Sequence, residues 1–316
     1  MSQRNMRVGL LSALLSVLSL PLIGCGGSGL AESWQLDRLR LLAVKAEPAE
    51  PRPGDVVTFS RLAYLPEGQG LAGLVWFACL PSASDSYGCQ LDPTLLDAFA
   101  SGEEMTGEEQ QADMEAAIAA GLIGFEPVFQ PTWVAPLEAL DGLDEIAAKE
   151  GVSAIVNLTL LSDDPDEEPE IAYKRVPISL ADTPNHNPVI AGFEVVEANA
   201  EGDEKGEPLP WGGPDVVISL EAGSIYKITP TLDEASIETY SFLNSEGVEE
   251  TRREEPYFTW YTEGGSFDQP FSLYPSTEVL YTVPDEDFTG LLVVVMRDRR
   301  GGMAWQVLRV TNETAG

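Results

Sequence analysis

Apolar residues recur along the chain in short runs bounded by Pro, Gly or Asp, and many of these runs alternate with polar residues as in half-buried β-strands. In the first half the pattern predicts strands over 37–46, 55–64, 74–80, 127–134, 152–161 and 170–180. In the second half it predicts strands over 189–197, 216–220, 225–229, 239–243, 257–263, 278–282, 290–297 and 303–311. Short strands at close spacing are typical of β-sandwiches, and we expect Trp260 to fill the centre of the second one.

Two segments of the first half have helical spacing instead. Thr106-Gly107-Glu108-Glu109 resembles a capping box, and the apolar positions after it predict a helix over 107–120. A second helix is predicted over 137–149, ending before Gly151. We interpret 91–122 as a helical insertion in an otherwise β framework.

The segment 182–188, Asp-Thr-Pro-Asn-His-Asn-Pro, combines turn formers and two prolines between strand-like runs. It marks the predicted boundary in a chain long enough for two domains. The sequence therefore predicts an all-β fold of two β-sandwich domains. The first spans 36–181 and carries the insertion, 182–188 is the linker, and the second spans 189–316.

The N-terminus has the layout of a secretory signal peptide, which we assign to 1–24. Arg4 and Arg7 precede an apolar run from Val8 to Leu22, and this region has no acidic residue. The run is shorter than the roughly 20 apolar residues that a spanning helix needs. The segment is therefore predicted to direct export rather than to form part of the fold.

Leu22-Ile23-Gly24-Cys25 closes this segment and resembles the lipobox of bacterial lipoproteins, in which the cysteine is diacylated and becomes the new N-terminus. The resemblance implies a lipid on Cys25 as the membrane anchor. Because Gly26 stands where an aspartate signals inner-membrane retention, it also implies the outer membrane. Residues 25–35 are then the anchor and a Gly/Ser-rich leash, and the body faces either the periplasm or the cell surface.

The chain is strongly acidic, with 18 Lys and Arg against 52 Asp and Glu. Signal removal takes away two arginines and no acid, which leaves a net charge near −36. Such a field repels nucleic acid and anionic lipid head groups. The charge favours cationic ligands or divalent cations, or else serves only as a solvated surface.

Cys79 and Cys89 are the two cysteines besides Cys25. In an exported protein such a pair normally forms a disulfide, and we predict this bond between them. Its simplest role is structural. A zinc or redox site is less favoured, because the chain has one His and too few further ligands.

Both ends of the body resemble bacterial lipoproteins with immunoglobulin-like domains. The similar segments are Leu36–Val44 with Glu47–Asp55 at the start, and Arg297–Trp305 at the last hairpin. The resemblance implies that both predicted sandwiches are immunoglobulin-like. It covers the ends of the chain and implies no reaction.

The run Asp163, Asp164, Asp166 and Glu167 is one candidate site, since clustered carboxylates supply the oxygen ligands that calcium prefers. It lacks the glycine and ligand spacing of an EF-hand loop. A solvated hairpin tip is the alternative. Calcium is the one cofactor that the sequence leaves open.

Arg297, Arg299 and Arg300 form a basic island at the tip of the last hairpin. Guanidinium groups at a loop tip suit the carboxylates or phosphates of a binding partner. The alternative is that they pair with acidic residues of this same chain.

No catalytic residue is assigned, because the lone His186 lies in the linker and neither a Gly-x-Ser-x-Gly nor a His-Glu-x-x-His motif is present. The favoured function is a non-enzymatic binding or scaffold module of the cell envelope, with the membrane and an envelope protein or glycan as partners. A calcium-dependent adhesive protein or an envelope glycan hydrolase is the alternative.

Overall fold

Strands dominate the part of the chain that the computed structural model describes, which comprises residues 32–80, 108–119, 121–164, 166–244 and 247–312. The elements of the first half are β1 (Arg40–Glu47), β2 (Val56–Tyr64), β3 (Leu71–Cys79), α1 (Glu108–Ala119), β4 (Leu122–Glu126), β5 (Thr132–Val134), α2 (Glu145–Glu150), β6 (Val152–Ser162) and β7 (Glu170–Ile178). Those of the second half are β8 (Ile190–Ala198), β9 (Val217–Ser219), β10 (Ile225–Leu232), β11 (Thr239–Leu243), β12 (Glu249–Arg253), β13 (Tyr257–Thr262), β14 (Ser266–Phe267), β15 (Phe271–Leu273), β16 (Val279–Thr282), β17 (Thr289–Arg297) and β18 (Met303–Thr311). The predicted all-β class is confirmed.

The first half folds into two facing antiparallel sheets. Sheet I has the order β1-β2-β5 and sheet II the order β4-β3-β6-β7. Their inner faces share one core, in which Val57 and Phe59 of sheet I meet Trp76 and Leu158 of sheet II. Trp76 is fully buried and stacks on Phe59 with ring centroids 5.8 Å apart. This is the layered packing of a β-sandwich.

The second half repeats this arrangement with larger sheets. Sheet III has the order β15-β13-β17-β18-β9, and sheet IV the order β14-β16-β10-β8. Strand β9 runs parallel to β18, whereas the other pairs are antiparallel. Trp260 lies fully buried in the shared core beside Phe193 and Phe267. The expectation that Trp260 fills the centre of this sandwich is confirmed.

Sheets I and III also pack against each other through their outer faces. Leu42 and Ala43 of β1 form a small core with Val293 and Val295 of β17. A β-bulge in β1 lies between Leu41 and Ala43, and the Leu42 carbonyl accepts a hydrogen bond from Arg297 at 3.0 Å. The order of layers is therefore sheet II, sheet I, sheet III and sheet IV. Because Trp34–Gly316 forms one compact unit, the division into two separate immunoglobulin-like domains stays a prediction.

Helix α1 covers the outer face of sheet II. Ala117 is fully buried against Val75, Phe77 and Leu122, with Met114 at the edge of the same cluster. The predicted insertion thus contributes a fifth layer to the described structure. Its last predicted residue, Leu122, belongs to the sheet, because it begins β4, which pairs with β3. Residues 91–107 and 120 of the insertion lie outside the described part.

Three local predictions differ from the structure. The helix expected over 137–149 is shorter: Asp144 caps α2 by accepting from the Ala147 N–H at 2.8 Å, and Gly142 just before it has a φ of 80°, which is not helical. The strand expected over 127–134 is limited to β5, since a turn follows β4. Strands β4, β12, β14 and β15 were not predicted.

Candidate functional site

The turn between β17 and β18 is organised around one buried carboxylate. Asp298 is 2% exposed. Its Oδ1 accepts hydrogen bonds from the backbone N–H groups of Arg300, Gly301 and Gly302 at 2.7, 2.9 and 2.9 Å. Burial raises the pKa of Asp298, and the hydrogen bonds from Asn185 and the turn lower it. A Cβ on Gly302 would lie 2.0 Å from this carboxylate, so the close approach requires glycine.

Arg300 extends from this turn into a cluster of three carboxylates. Its guanidinium lies 3.1 Å from Glu238, 3.2 Å from Glu254 and 3.3 Å from Glu50. The guanidinium carbon is also 4.3 Å from the ring centroid of Tyr240. Burial raises the pKa of Glu254, against the lowering effect of the Arg300 charge. One guanidinium therefore faces three carboxyl groups, and one of these, Glu238, also contacts His186 at 2.7 Å.

The predicted linker bonds to both halves of the chain beside this cluster. Glu50 accepts a hydrogen bond from the Asn185 N–H at 2.6 Å. The Asn187 side chain donates to the Ala46 carbonyl at 2.7 Å and accepts from the Met303 N–H at 2.9 Å. It therefore ties β1 of sheet I to β18 of sheet III. The linker is a structural part of the junction between the two sandwiches.

Lys174 of β7 is the buried cation of this junction. Its side chain is almost fully enclosed and donates a hydrogen bond to the Gly301 carbonyl. Burial lowers the pKa of Lys174 to about 8, and Asp298 opposes that shift. The environment of sheet II and the β17–β18 turn thus disfavours the charged form of this lysine.

Stability is expected to rise with pH through the titration of Lys174. Between the folded pKa of about 8 and the ordinary value of 10.5 the unfolded chain binds the additional proton, so the free energy of unfolding increases with pH. The full difference is on the order of 3 kcal/mol. Urea denaturation at pH 7.5, 8.5 and 9.5 measures the slope, and about 2 kcal/mol of the difference falls in this range. Lys174→Met should abolish the slope, whereas Lys227→Met, at an exposed salt bridge, should keep it. Equal slopes in both variants would contradict the assignment.

A cleft of about 450 Å³ opens next to the Arg300 cluster, and we call it the junction cleft. One wall is formed by α2 and the start of the linker, and the other by the β11–β12 hairpin. The residues that matter for its chemistry are Ile146, Lys149 and Glu150 of α2, Asp182 of the linker, Tyr240–Leu243 of β11, Glu249 of β12, and Glu50 with Arg300 beneath them. Its walls are therefore partly apolar and its charged groups mainly acidic.

The two basic residues of the junction cleft already have acidic partners in this chain. Lys149 lies 3.1 Å from Asp182 and 3.8 Å from Glu145, and Arg300 is held by its three glutamates. Glu249, in contrast, is exposed on a strand whose five residues are all exposed. The cleft thus suits a cationic group with an apolar stem.

The structure separates the three arginines proposed for partner binding. Arg300 is inside the junction, with 15% of its side chain exposed. Arg297 donates to the Thr259 hydroxyl at 2.7 Å and to the Leu42 carbonyl, which places it between sheets I and III. Arg299 is half exposed, 3.9 Å from Glu255. Arg299 and Arg300 contact acidic residues of their own chain, as the alternative interpretation expected, whereas Arg297 contacts a hydroxyl and a carbonyl. Arg299 is the most accessible of the three.

The acidic run Asp163–Glu167 lies after β6, and its carboxylates have separate partners. Asp163 accepts from the Gly70 N–H at 3.0 Å, Asp164 from the Asp166 N–H at 3.0 Å, and Glu167 from the Ser162 hydroxyl at 2.8 Å. Among the described residues no group of three or more His, Cys, Asp and Glu side chains is arranged to hold a metal ion. Calcium binding at this run gains no support from the geometry.

The predicted cysteine sites lie mostly outside the described residues. Cys79 is the last residue of β3, whereas Cys25 and Cys89 lie in segments that the structure does not describe. The lipid anchor and the Cys79–Cys89 disulfide therefore stay predictions.

Of the residues that line the junction cleft, the sequence singles out Arg300 as a binding candidate, and the residues of α2, β11 and β12 were not identified. Tyr240 and Phe242 lie in a strand whose predicted bounds, 239–243, are confirmed. Glu150 lies just outside the predicted helix 137–149, and 93 residues of sequence separate it from Leu243. The sequence offers one indication of this cleft, which is a pair of aromatic residues in a predicted strand followed by the polar segment Glu249–Arg253.

No protein-family model matches this chain, and no curated protein is significantly similar to it. In the described part of the chain no helix combines the length and hydropathy needed to cross a bilayer. The resemblance to immunoglobulin-like lipoproteins stays an expectation. Support for a function comes from the junction cleft and from the N-terminal sequence.

Proposed function

We propose that this protein is a non-enzymatic binding module of the cell envelope, anchored in the outer membrane by a lipid on Cys25, which binds an envelope protein in the junction cleft. The observation that carries the proposal is the cleft itself, with apolar walls and an excess of acidic groups beside the buried Arg300 cluster. Concave sites with apolar walls and a few polar groups are the usual form of binding sites.

The layered body supports this role. The linker is bonded to both β1 and β18, and sheets I and III share a core. The walls of the cleft, α2 and the β11–β12 hairpin, are therefore carried on one rigid framework. A preorganised site loses less conformational entropy when its partner binds.

The N-terminal sequence supports the location. A signal peptide over 1–24 exports the chain, and the acyl chains on Cys25 supply more than the single lipid that gives only marginal membrane binding. Replacing Cys25 by serine is expected to move the protein from the membrane pellet to the soluble fraction, as measured by fractionation and immunoblotting. The melting temperature of the body should not change. Retention in the membrane fraction of a Cys25→Ser chain from which residues 1–24 have been removed, as shown by mass spectrometry, would refute the anchor.

Photo-crosslinking in living cells tests the binding role. A photoreactive amino acid at the exposed position Ser241, inside the cleft, should capture one dominant envelope protein, identified by mass spectrometry. The same amino acid at Glu201, an exposed turn after β8 outside the lining of the cleft, is the matched control. Recovery of the uncrosslinked protein alone at Ser241, or the same products from both positions, would reject the proposal.

A further inference from the structure

One edge of strand β11 faces the junction cleft. Four consecutive residues, Tyr240–Leu243, line the cleft. Alternate side chains of a strand point to opposite faces, so a cavity that contacts all four meets the strand at its edge rather than at one face. In the described part of the chain β11 pairs with β12 alone.

The hydrogen-bond pattern identifies which backbone groups face the cleft. The Asn244 N–H donates to the Val248 carbonyl, and the Glu254 N–H donates to the Glu238 carbonyl. Hydrogen-bonded pairs alternate along an antiparallel ladder, so the residues two positions inward from these, Tyr240 and Phe242, also bond to β12. Ser241 and Leu243 therefore direct their N–H and C=O groups away from β12, towards the cleft.

One contact in the structure occupies this edge. The Leu243 N–H donates to the Glu150 carboxylate of α2 at 3.2 Å. The carboxylate oxygen takes the position that a carbonyl of a further strand would take. The described residues supply no such partner to the outward N–H of Ser241, which is exposed. The edge is thus partly closed at Leu243 and open at Ser241.

The aromatic face of β11 holds the edge in place. Arg252 lies over the Phe242 ring at 4.5 Å, Arg300 lies over the Tyr240 ring at 4.3 Å, and the two rings are 6.1 Å apart. Because Arg300 is itself fixed by three glutamates, β11 is attached to the core of the junction. An exposed edge on a fixed strand is a template for the addition of another strand.

We propose that the junction cleft binds an extended peptide segment that adds as a strand to the Ser241 edge of β11 and carries basic side chains. This inference rests on the proposed binding function and specifies its ligand. Charge decides the class of peptide: Lys149 is paired with Asp182 and Arg300 with its glutamates, whereas Glu249 is an exposed acid at the cleft. Main-chain hydrogen bonds would supply affinity, and the acidic groups would select lysine or arginine.

The direct test uses the full-length chain in nonionic detergent and a fluorescein-labelled hexapeptide of alternating valine and lysine. Fluorescence anisotropy should report binding, and a hexapeptide of alternating valine and glutamate should not bind. Spermidine carries ammonium groups without a peptide backbone and should compete only weakly. Hydrogen exchange should show protection at Ser241 when the lysine peptide is bound.

Proline variants separate strand addition from binding by charge alone. Ser241→Pro removes the outward N–H but no bond of the β11–β12 ladder, a position that an edge strand tolerates. Thr251→Pro does the same on the opposite edge of this hairpin, because Thr251 is the register partner of Ser241. Ser241→Pro should weaken binding about tenfold, the effect of one lost hydrogen bond with its unpaired partner. Thr251→Pro should bind as the natural chain does.

Several results would overturn the inference. These are no binding of the lysine peptide, equal loss in the two proline variants, or spermidine binding as tight as that of the peptide. Crosslinking of a partner from Ser241 without any peptide binding would retain the proposed function and reject strand addition. Peptide binding to β11 without any crosslinking from Ser241 would reject the proposed function and retain strand addition.

Discussion

Replacing Arg300 by methionine is expected to lower the free energy of unfolding by about 3 to 5 kcal/mol, since removal of one partner leaves buried charges uncompensated. The side chains of Glu254 and Glu50 are 2% and 10% exposed, and both contact this guanidinium. Without it they would repel each other in a site with little access to water. Urea denaturation followed by tryptophan fluorescence measures the change.

Two further variants control this experiment. Arg299→Met removes an arginine from the same turn, but its side chain is half exposed and its acidic neighbour is 3.9 Å away, so the expected change is within about 0.5 kcal/mol. Adding Glu254→Gln to Arg300→Met should recover part of the loss, because it removes one of the repelling charges. Equal effects of Arg300→Met and Arg299→Met would show that the cluster does not stabilise the junction.

Trp260→Ala is expected to destabilise the protein by about 3 to 5 kcal/mol. The indole is fully buried between Phe193 and Phe267, and its Nε1–H donates to the Ser272 hydroxyl at 3.3 Å. Removal leaves a cavity in the centre of the second sandwich and takes away the donor to the Ser272 hydroxyl, which still donates to the Thr277 carbonyl at 2.8 Å. Phe271→Ala, an aromatic residue that is 43% exposed, should have a much smaller effect.

The shape of the unfolding curve adds information to the Trp260→Ala experiment. Because sheets I and III share a core and the linker bonds to both, we expect one transition that moves as a whole to lower urea. Trp76→Ala, in the core of the first sandwich, should move that same transition. Two transitions, each shifted by only one of the variants, would mean that the sandwiches unfold independently.

Strands were predicted correctly where the apolar pattern of a segment agrees with its pairing in a sheet. Residues 303–311 were predicted as a strand and form β18 with the same bounds, since their apolar positions alternate and turn formers precede them. In contrast, β12 has the sequence Glu-Glu-Thr-Arg-Arg, with every residue exposed. Its strand conformation comes from pairing with β11. The sequence of β12 has no alternation of apolar and polar residues that would indicate a strand.

The sequence by itself determined the all-β class, most strand positions and the buried centre at Trp260, and it predicts export and a lipid on Cys25. These depend on residues that are close along the chain, where periodicity and turn chemistry act directly. The sequence did not determine that Val293 and Val295 pack against β1. An apolar run has the same sequence pattern whether the outer face of its strand is covered by a second core or exposed to solvent. Nor did the sequence bring Arg300 to Glu50, 250 residues away. The tertiary structure decided both, since the stacking of sheets I and III sets which distant charges and strand edges meet at the junction cleft.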